Sequence, residues 1–145
     1  MKTKTIVILW GVGILLLAAC GGEASGTQAG SANLAAGQAL YEANCAACHG
    51  INGEGEPNWK VPDVNGIYPA PPHDGSGHTW HHADALLLQV IREGSGVPNS
   101  KMPPYGAILS PAQTEEVLGY IKTFWEKDER EFQQQMTQQW EEFNK

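Results

Sequence analysis

Apolar and polar positions divide the 145-residue chain into stretches of very different character. An apolar run from Ile6 to Leu17 opens it, with Lys2 and Lys4 ahead. Gly21 to Asn33, GGEASGTQAGSAN, is small and polar without an apolar period, the composition of a flexible linker reaching about 20 Å. From Leu34 to Asn44, the positions Leu34, Ala36, Gly37, Leu40, Tyr41 and Ala43 predict a helix that feeds into Cys45. Ile51 to Gly77 holds Pro57, Pro62, Pro69, Pro71 and Pro72 among many glycines and shows no strand-like alternation, so it is read as loop. Asp84 reads as the N-cap of a helix through Ala85–Arg92 that Gly94 closes. Ser110-Pro111, with Glu115 farther in, starts another through Val117, Leu118, Ile121 and Phe124. Beyond Trp125, Phe132, Met136, Trp140 and Phe143 draw one apolar stripe along an otherwise polar helix. That stripe fits either packing against the chain's own domain or docking on a partner. The expected class is all-α, three to four helices with long loops.

A loop as long as 51–77 is unusual in a compact domain unless something supplies the core it wraps. The chain is long enough for one modest core, and three cysteines make no disulfide framework, so a buried cofactor is the expected source of stability. One cysteine is accounted for by the first segment. Lysines, a 14-residue stretch Ile6–Ala19 too short to cross a bilayer, and the small pair before Cys20 form an export-signal layout. It resembles a bacterial lipoprotein signal, which implies cleavage before Cys20 and lipidation of its sulfur; an uncleaved anchor helix is the alternative. Both place the rest of the chain outside the cytoplasmic membrane, fastened to it. The expected divisions are 1–19 signal, 20–33 lipidated cysteine and tether, 34–125 globular domain and 126–145 helical extension. The formal net charge is −7, and loss of Lys2 and Lys4 makes the mature chain more acidic still, which argues against nucleic acid as a partner.

The remaining cysteines stand in Cys45-Ala46-Ala47-Cys48-His49, the C-x-x-C-H pattern of covalent haem attachment. Both thiols must reach one edge of the porphyrin while the histidine aims at its centre, and small intervening residues suit that geometry. Zinc sites and thioredoxin-like centres also use C-x-x-C. A second ligand pair for zinc and the βαβ patterning of the redox fold are both missing from the sequence.

With these residues the chain resembles the class I c-type cytochromes over about Leu34–Trp125. The match rests on Gly37 and Tyr41 before the first haem cysteine, on Cys45, Cys48 and His49, on the loop Lys101-Met102-Pro103-Pro104-Tyr105, and on Val117 and Tyr120, where the last family helix crosses the first. The resemblance implies the cytochrome c fold around one haem c bound through Cys45 and Cys48, with His49 and Met102 as axial iron ligands. It further implies Pro62, in the VPDVNG turn, as the carbonyl acceptor for His49, and Trp80 as a hydrogen-bond donor to a haem propionate, which His78 could assist. A thioether is a soft ligand, and His/Met ligation raises the potential.

His73, His78, His81 and His82 crowd into ten residues and offer rival axial ligands or a separate copper or zinc site. Most are expected to play ordinary structural roles. Paired catalytic carboxylates, a nucleophile motif and a phosphate-binding loop are not recognisable, so the expectation is an electron carrier without independent catalysis or a small-molecule substrate. The expected partners are redox proteins or subunits of a respiratory or photosynthetic membrane complex, met through an apolar rim of Ala46, Ala47, Pro103, Pro104, Tyr105 and Ile108 to which Lys101 adds one positive charge. A tethered shuttle, a fixed haem subunit of a larger oxidoreductase and a metal-binding or sensory haem module stand as alternatives.

Overall fold

The computed structural model describes residues 24–145, with side chains from Asn33 onward. The expected signal at 1–19 and the lipidation site Cys20 lie outside the described residues. Five α-helices follow in order: α1 Ala24–Asn44, α2 Ala46–His49, α3 Asp84–Glu93, α4 Pro111–Ile121 and α5 Lys127–Phe143. Short 3-10 turns occupy Thr79–His81 and Lys122–Phe124. Among the described residues no strand forms, and a single parallel bridge joins Tyr68 to Ser100. The all-α class is as expected, with long loops between short helices.

The core lies where α1 crosses α4. Gly37 makes that crossing possible: a Cβ there would come within 2.1 Å of the Glu116 carbonyl oxygen and 3.2 Å of the Tyr120 Cβ. With glycine the backbones close up, and Tyr41, Val117, Leu118, Ile121 and Trp125 are buried beside the contact together with Leu87, Ile91 and Leu109. Burying side chains of this kind contributes roughly 1.5–3 kcal/mol each. Helix α4 is well started: the Ser110 hydroxyl accepts from the Gln113 N–H while the Gln113 side chain accepts from the Ser110 N–H, with Pro111 in the first turn. Gly94, at φ 84°, ends α3 as expected.

Three local expectations change. Helix α1 begins at Ala24, so 24–33 are helical where a flexible linker is expected; Ala24, Gln28, Ala29 and Ala32 are good helix formers and outweigh the glycines. The N-cap of α3 is Ala83, not Asp84. Asp84 sits inside the first turn, where its carboxylate faces the helix dipole, pairs with Lys122 at 2.6 Å and accepts from Gln133. In α5, the most buried residue is Gln133, 2% exposed, whereas Trp140 and Phe143 of the stripe are 43% and 90% exposed. Gln133 donates to the His82 carbonyl, the Asp84 carboxylate and the Thr137 hydroxyl. The helix therefore packs back on its own domain over its first half, Phe132 lying edge-on to Trp80 at 5.5 Å, because the surface it meets is the polar start of α3.

Candidate haem-binding site

The end of α1 and α2 form the attachment segment. Cys45 donates its N–H to Tyr41, and the N–H groups of Cys48 and His49 both return to the Cys45 carbonyl. This single turn places Cys45 half-buried, Cys48 exposed and His49 inside, 7% exposed. Burial pushes the Cys45 thiol up to about 11, with the neighbouring Cys48 adding to it. The Tyr41 hydroxyl donates to the Gly50 carbonyl at 2.9 Å and pins the exit of the turn; burial raises its pKa strongly.

The proline-rich loop is folded directly onto this turn. Gly55 donates to the His49 carbonyl, Glu56 to that of Ala70, and His73 and Asp74 to that of Gly53. The loop thereby carries the Pro71 carbonyl to 2.9 Å from His49 Nδ1. Pro62, the acceptor implied by resemblance, is exposed and belongs instead to a turn whose Asp63 accepts from Asn65 and Ile67. The correction follows from loop length: with five prolines in the segment, only the return path decides which one reaches the histidine. With Nδ1 donating to a carbonyl, Nε2 is the nitrogen left for a metal. Burial lowers the His49 pKa, opposed by the Pro71 carbonyl and Glu56, which favours the neutral imidazole that ligates a metal.

The methionine loop meets the attachment segment through Tyr105. Its anchors are backbone bonds from Tyr105 and Gly106 to Ile91 and Arg92 at the end of α3, and the Tyr105 hydroxyl, which donates at 2.6 Å to the carbonyl of Asn44, next to Cys45. Burial raises the Tyr105 pKa, and the nearby Cys45 and Cys48 add to it. Met102 is partly buried, its N–H bonded to the Ser100 hydroxyl. The rim residues Ala47, Pro103, Pro104 and Ile108 are exposed, Ala46 and Tyr105 partly so, and Lys101 lies 4.0 Å from Asp63, which offsets its charge.

Trp80 supplies an independent test of whether a haem fits. Its indole N–H is buried without a hydrogen-bond partner, a costly state for a donor, and one that a propionate oxygen would relieve. The thiol pair, an imidazole with a free Nε2 and a thioether are also the donor set such a group needs. His78 does not share in this: it stacks on Trp59 at 5.4 Å, with Lys60 above the same indole at 4.8 Å. His81 lies exposed against Trp80, and His82 gives its carbonyl to Gln133. Among the described residues, no three His, Cys, Asp or Glu side chains gather to hold a separate metal ion. Sequence reasoning missed Pro71 as part of the site, named His73 only as a rival ligand, and placed Tyr105 in the methionine loop and rim without its bond to Asn44.

Comparison with known proteins agrees with this geometry. The family model described as Cytochrome c matches residues 34–125. The chain is 32% identical over 92 residues to the Cbb3-type cytochrome c oxidase subunit FixP of Sinorhizobium medicae (strain WSM419), a match covering 61% of this chain and 29% of that protein. It is 28% identical over 91 residues to the Cbb3-type cytochrome c oxidase subunit FixPc of Rhizobium leguminosarum bv. viciae, again over 61% of this chain and 29% of the relative. The chain thus spans less than a third of the length of these curated relatives. No solved structure matches it. The matched segment contains the attachment turn, the proline loop and the methionine loop, and the chain belongs to the cytochrome c family, an electron-transfer protein of the class I c-type whose haem c is bound covalently through Cys45 and Cys48.

Proposed function

We propose that the protein is a membrane-tethered carrier of single electrons, with His49 and Met102 as axial iron ligands and Trp80 directed at a propionate. When bound, the haem supplies reversible one-electron chemistry at iron. The observation that carries the reading is the His49 Nδ1 contact with the Pro71 carbonyl, which holds one tautomer and leaves Nε2 as the nitrogen that would take the iron. Met102 would close the sixth position, leaving no site for a substrate. The Tyr105–Asn44 bond and the buried contacts of Tyr41 and Trp125 resist rearrangement when the charge on the site changes. The apolar rim, with Lys101 near Asp63, favours transient, weakly charge-steered encounters.

A redox-titrated absorption spectrum of the mature protein tests the ligation. The expected result is a low-spin c-type spectrum with a weak red charge-transfer band in the oxidised form, lost in Met102→His. Ready binding of carbon monoxide by the reduced wild type would sink the closed six-coordinate reading. Tethering through Cys20 on the outer face of the cytoplasmic membrane is tested by Cys20→Ser: release into the soluble exported fraction supports it, and retention in the membrane argues for an anchor helix. Among the described residues no helix is long and apolar enough to cross a membrane.

A second reading makes the chain a fixed subunit of a larger membrane oxidoreductase. The likeness to oxidase subunits favours it, as do the exposed Trp140 and Phe143 at the end of α5. Purification in mild detergent separates the two. Co-migration with a large complex supports the subunit, and isolation as a small lipoprotein supports the shuttle.

A further inference from the structure

The Nδ1 bond to Pro71 holds the His49 ring at one edge, and a ring held at one edge can still tilt about that contact. A second restraint acts on its face. The imidazole of His73 stacks on that of His49, with centroids 4.0 Å apart and planes 19° from parallel. His73 is itself tightly fixed. Its N–H donates to the Gly53 carbonyl at 2.7 Å, and its carbonyl accepts from the Trp125 indole at 2.7 Å. Its Nδ1 lies 3.1 Å from the Thr79 hydroxyl, which in turn donates to the Pro72 carbonyl at 3.4 Å. With its proton directed to Pro72, the Thr79 oxygen acts as acceptor, so His73 presents Nδ1–H to it. Tyr41 closes the arrangement, its ring edge-on to His73 at 6.1 Å.

Simple packing would be met by any apolar side chain of similar size. What an aromatic ring adds is a flat face in parallel contact, and the bonds to Gly53, Thr79 and Trp125 prevent that face from turning. The two histidines are thus related as support and supported, and the support reaches through Thr79 to the turn that carries Trp80.

We infer that His73 is a positioning residue that fixes the plane of the His49 imidazole, and through it the orientation of the proximal ligand toward the iron. This rests on His49 being that ligand. The orientation of an axial imidazole plane sets which iron orbital holds the unpaired electron in the oxidised state, so His73 governs a spectroscopic property and the midpoint potential without touching the haem iron.

The test compares wild type, His73→Leu and His73→Phe as haem-loaded proteins by proton NMR of the oxidised form and by potentiometry. In wild type, a strongly shifted methionine methyl resonance on reduction establishes His/Met ligation; its absence overturns the ligation reading itself, independently of His73. Given that signal, His73→Leu is expected to change the order and spread of the paramagnetically shifted haem-methyl resonances and to shift the midpoint potential. His73→Phe, which keeps a flat face, is expected to restore the wild-type resonance order. An unchanged order and potential in His73→Leu overturn the inference, as does a His73→Phe pattern that departs from wild type as far as the leucine variant. Should His73→Leu fail to take up haem, His73→Phe decides alone: a native resonance order supports the inference and an altered one overturns it.

Discussion

The two sides of the site are built differently. His49 stands on a helical turn, buried, with its ring bonded at the edge by Pro71 and stacked on the face by His73. Met102 stands in a loop whose preceding residues Gly96–Lys101 are all exposed, and its fixed points are the Ser100 hydroxyl and the bridge to Tyr68 behind it and Tyr105 ahead. The histidine side is continuous with the packed α1–α4 crossing, while the methionine side is held by a few hydrogen bonds. The methionine loop, with more exposed backbone and fewer buried contacts, is therefore expected to open locally at lower cost than the attachment turn.

The largest expected effect tests that asymmetry directly. His49→Ala should abolish the low-spin spectrum and reduce covalent haem content, whereas Met102→Ala should keep the covalent haem and open the reduced protein to carbon monoxide. Haem content measured by pyridine haemochrome decides it, and equal losses in both variants would break the comparison. Next in size is Gly37→Ala, whose added Cβ meets the Glu116 carbonyl. Overpacking of this kind costs about 1–3 kcal/mol, read as a lower urea midpoint, and it should loosen both sides together. Tyr105→Phe removes only the bond to Asn44. A net loss of about 1 kcal/mol should let imidazole bind the oxidised protein about 5-fold more tightly, with the urea midpoint lowered by no more than that same free energy corresponds to.

The smallest expected effect concerns pH. Burial lowers the pKa of both His78 and His82 below the ordinary 6.5, with His82 and His81 respectively the next cause. The unfolded chain therefore takes up protons first as the solution is acidified, and stability that is fully present above 6.5 declines below it. Urea midpoints across that range should fall with acidification, and the slope should flatten in a His78→Gln/His82→Gln variant. An unchanged slope would mean that these rings are fully hydrated in the folded protein.

What the sequence determined by itself is what short-range stereochemistry encodes. The C-x-x-C-H spacing is one helical turn, so it places two thiols and an imidazole whatever surrounds them. Ser110-Pro111 starts a helix and Gly94 stops one because caps act within a few residues. Gly37, Val117 and Tyr120 were legible as a crossing only through the family resemblance, and the missing Cβ at Gly37 is the physical reason the two backbones can close up. The tertiary structure decided the rest. Pro71 rather than Pro62 reaches His49 across 22 residues, Tyr105 joins the methionine loop to Asn44 across 61, and Gln133 rather than the aromatic stripe becomes the buried centre of α5 through its bond to His82 across 51. Each of these is a choice among several chemically equivalent candidates. Composition and periodicity describe the candidates alike, and only the path of the folded chain brings one of them within hydrogen-bonding distance.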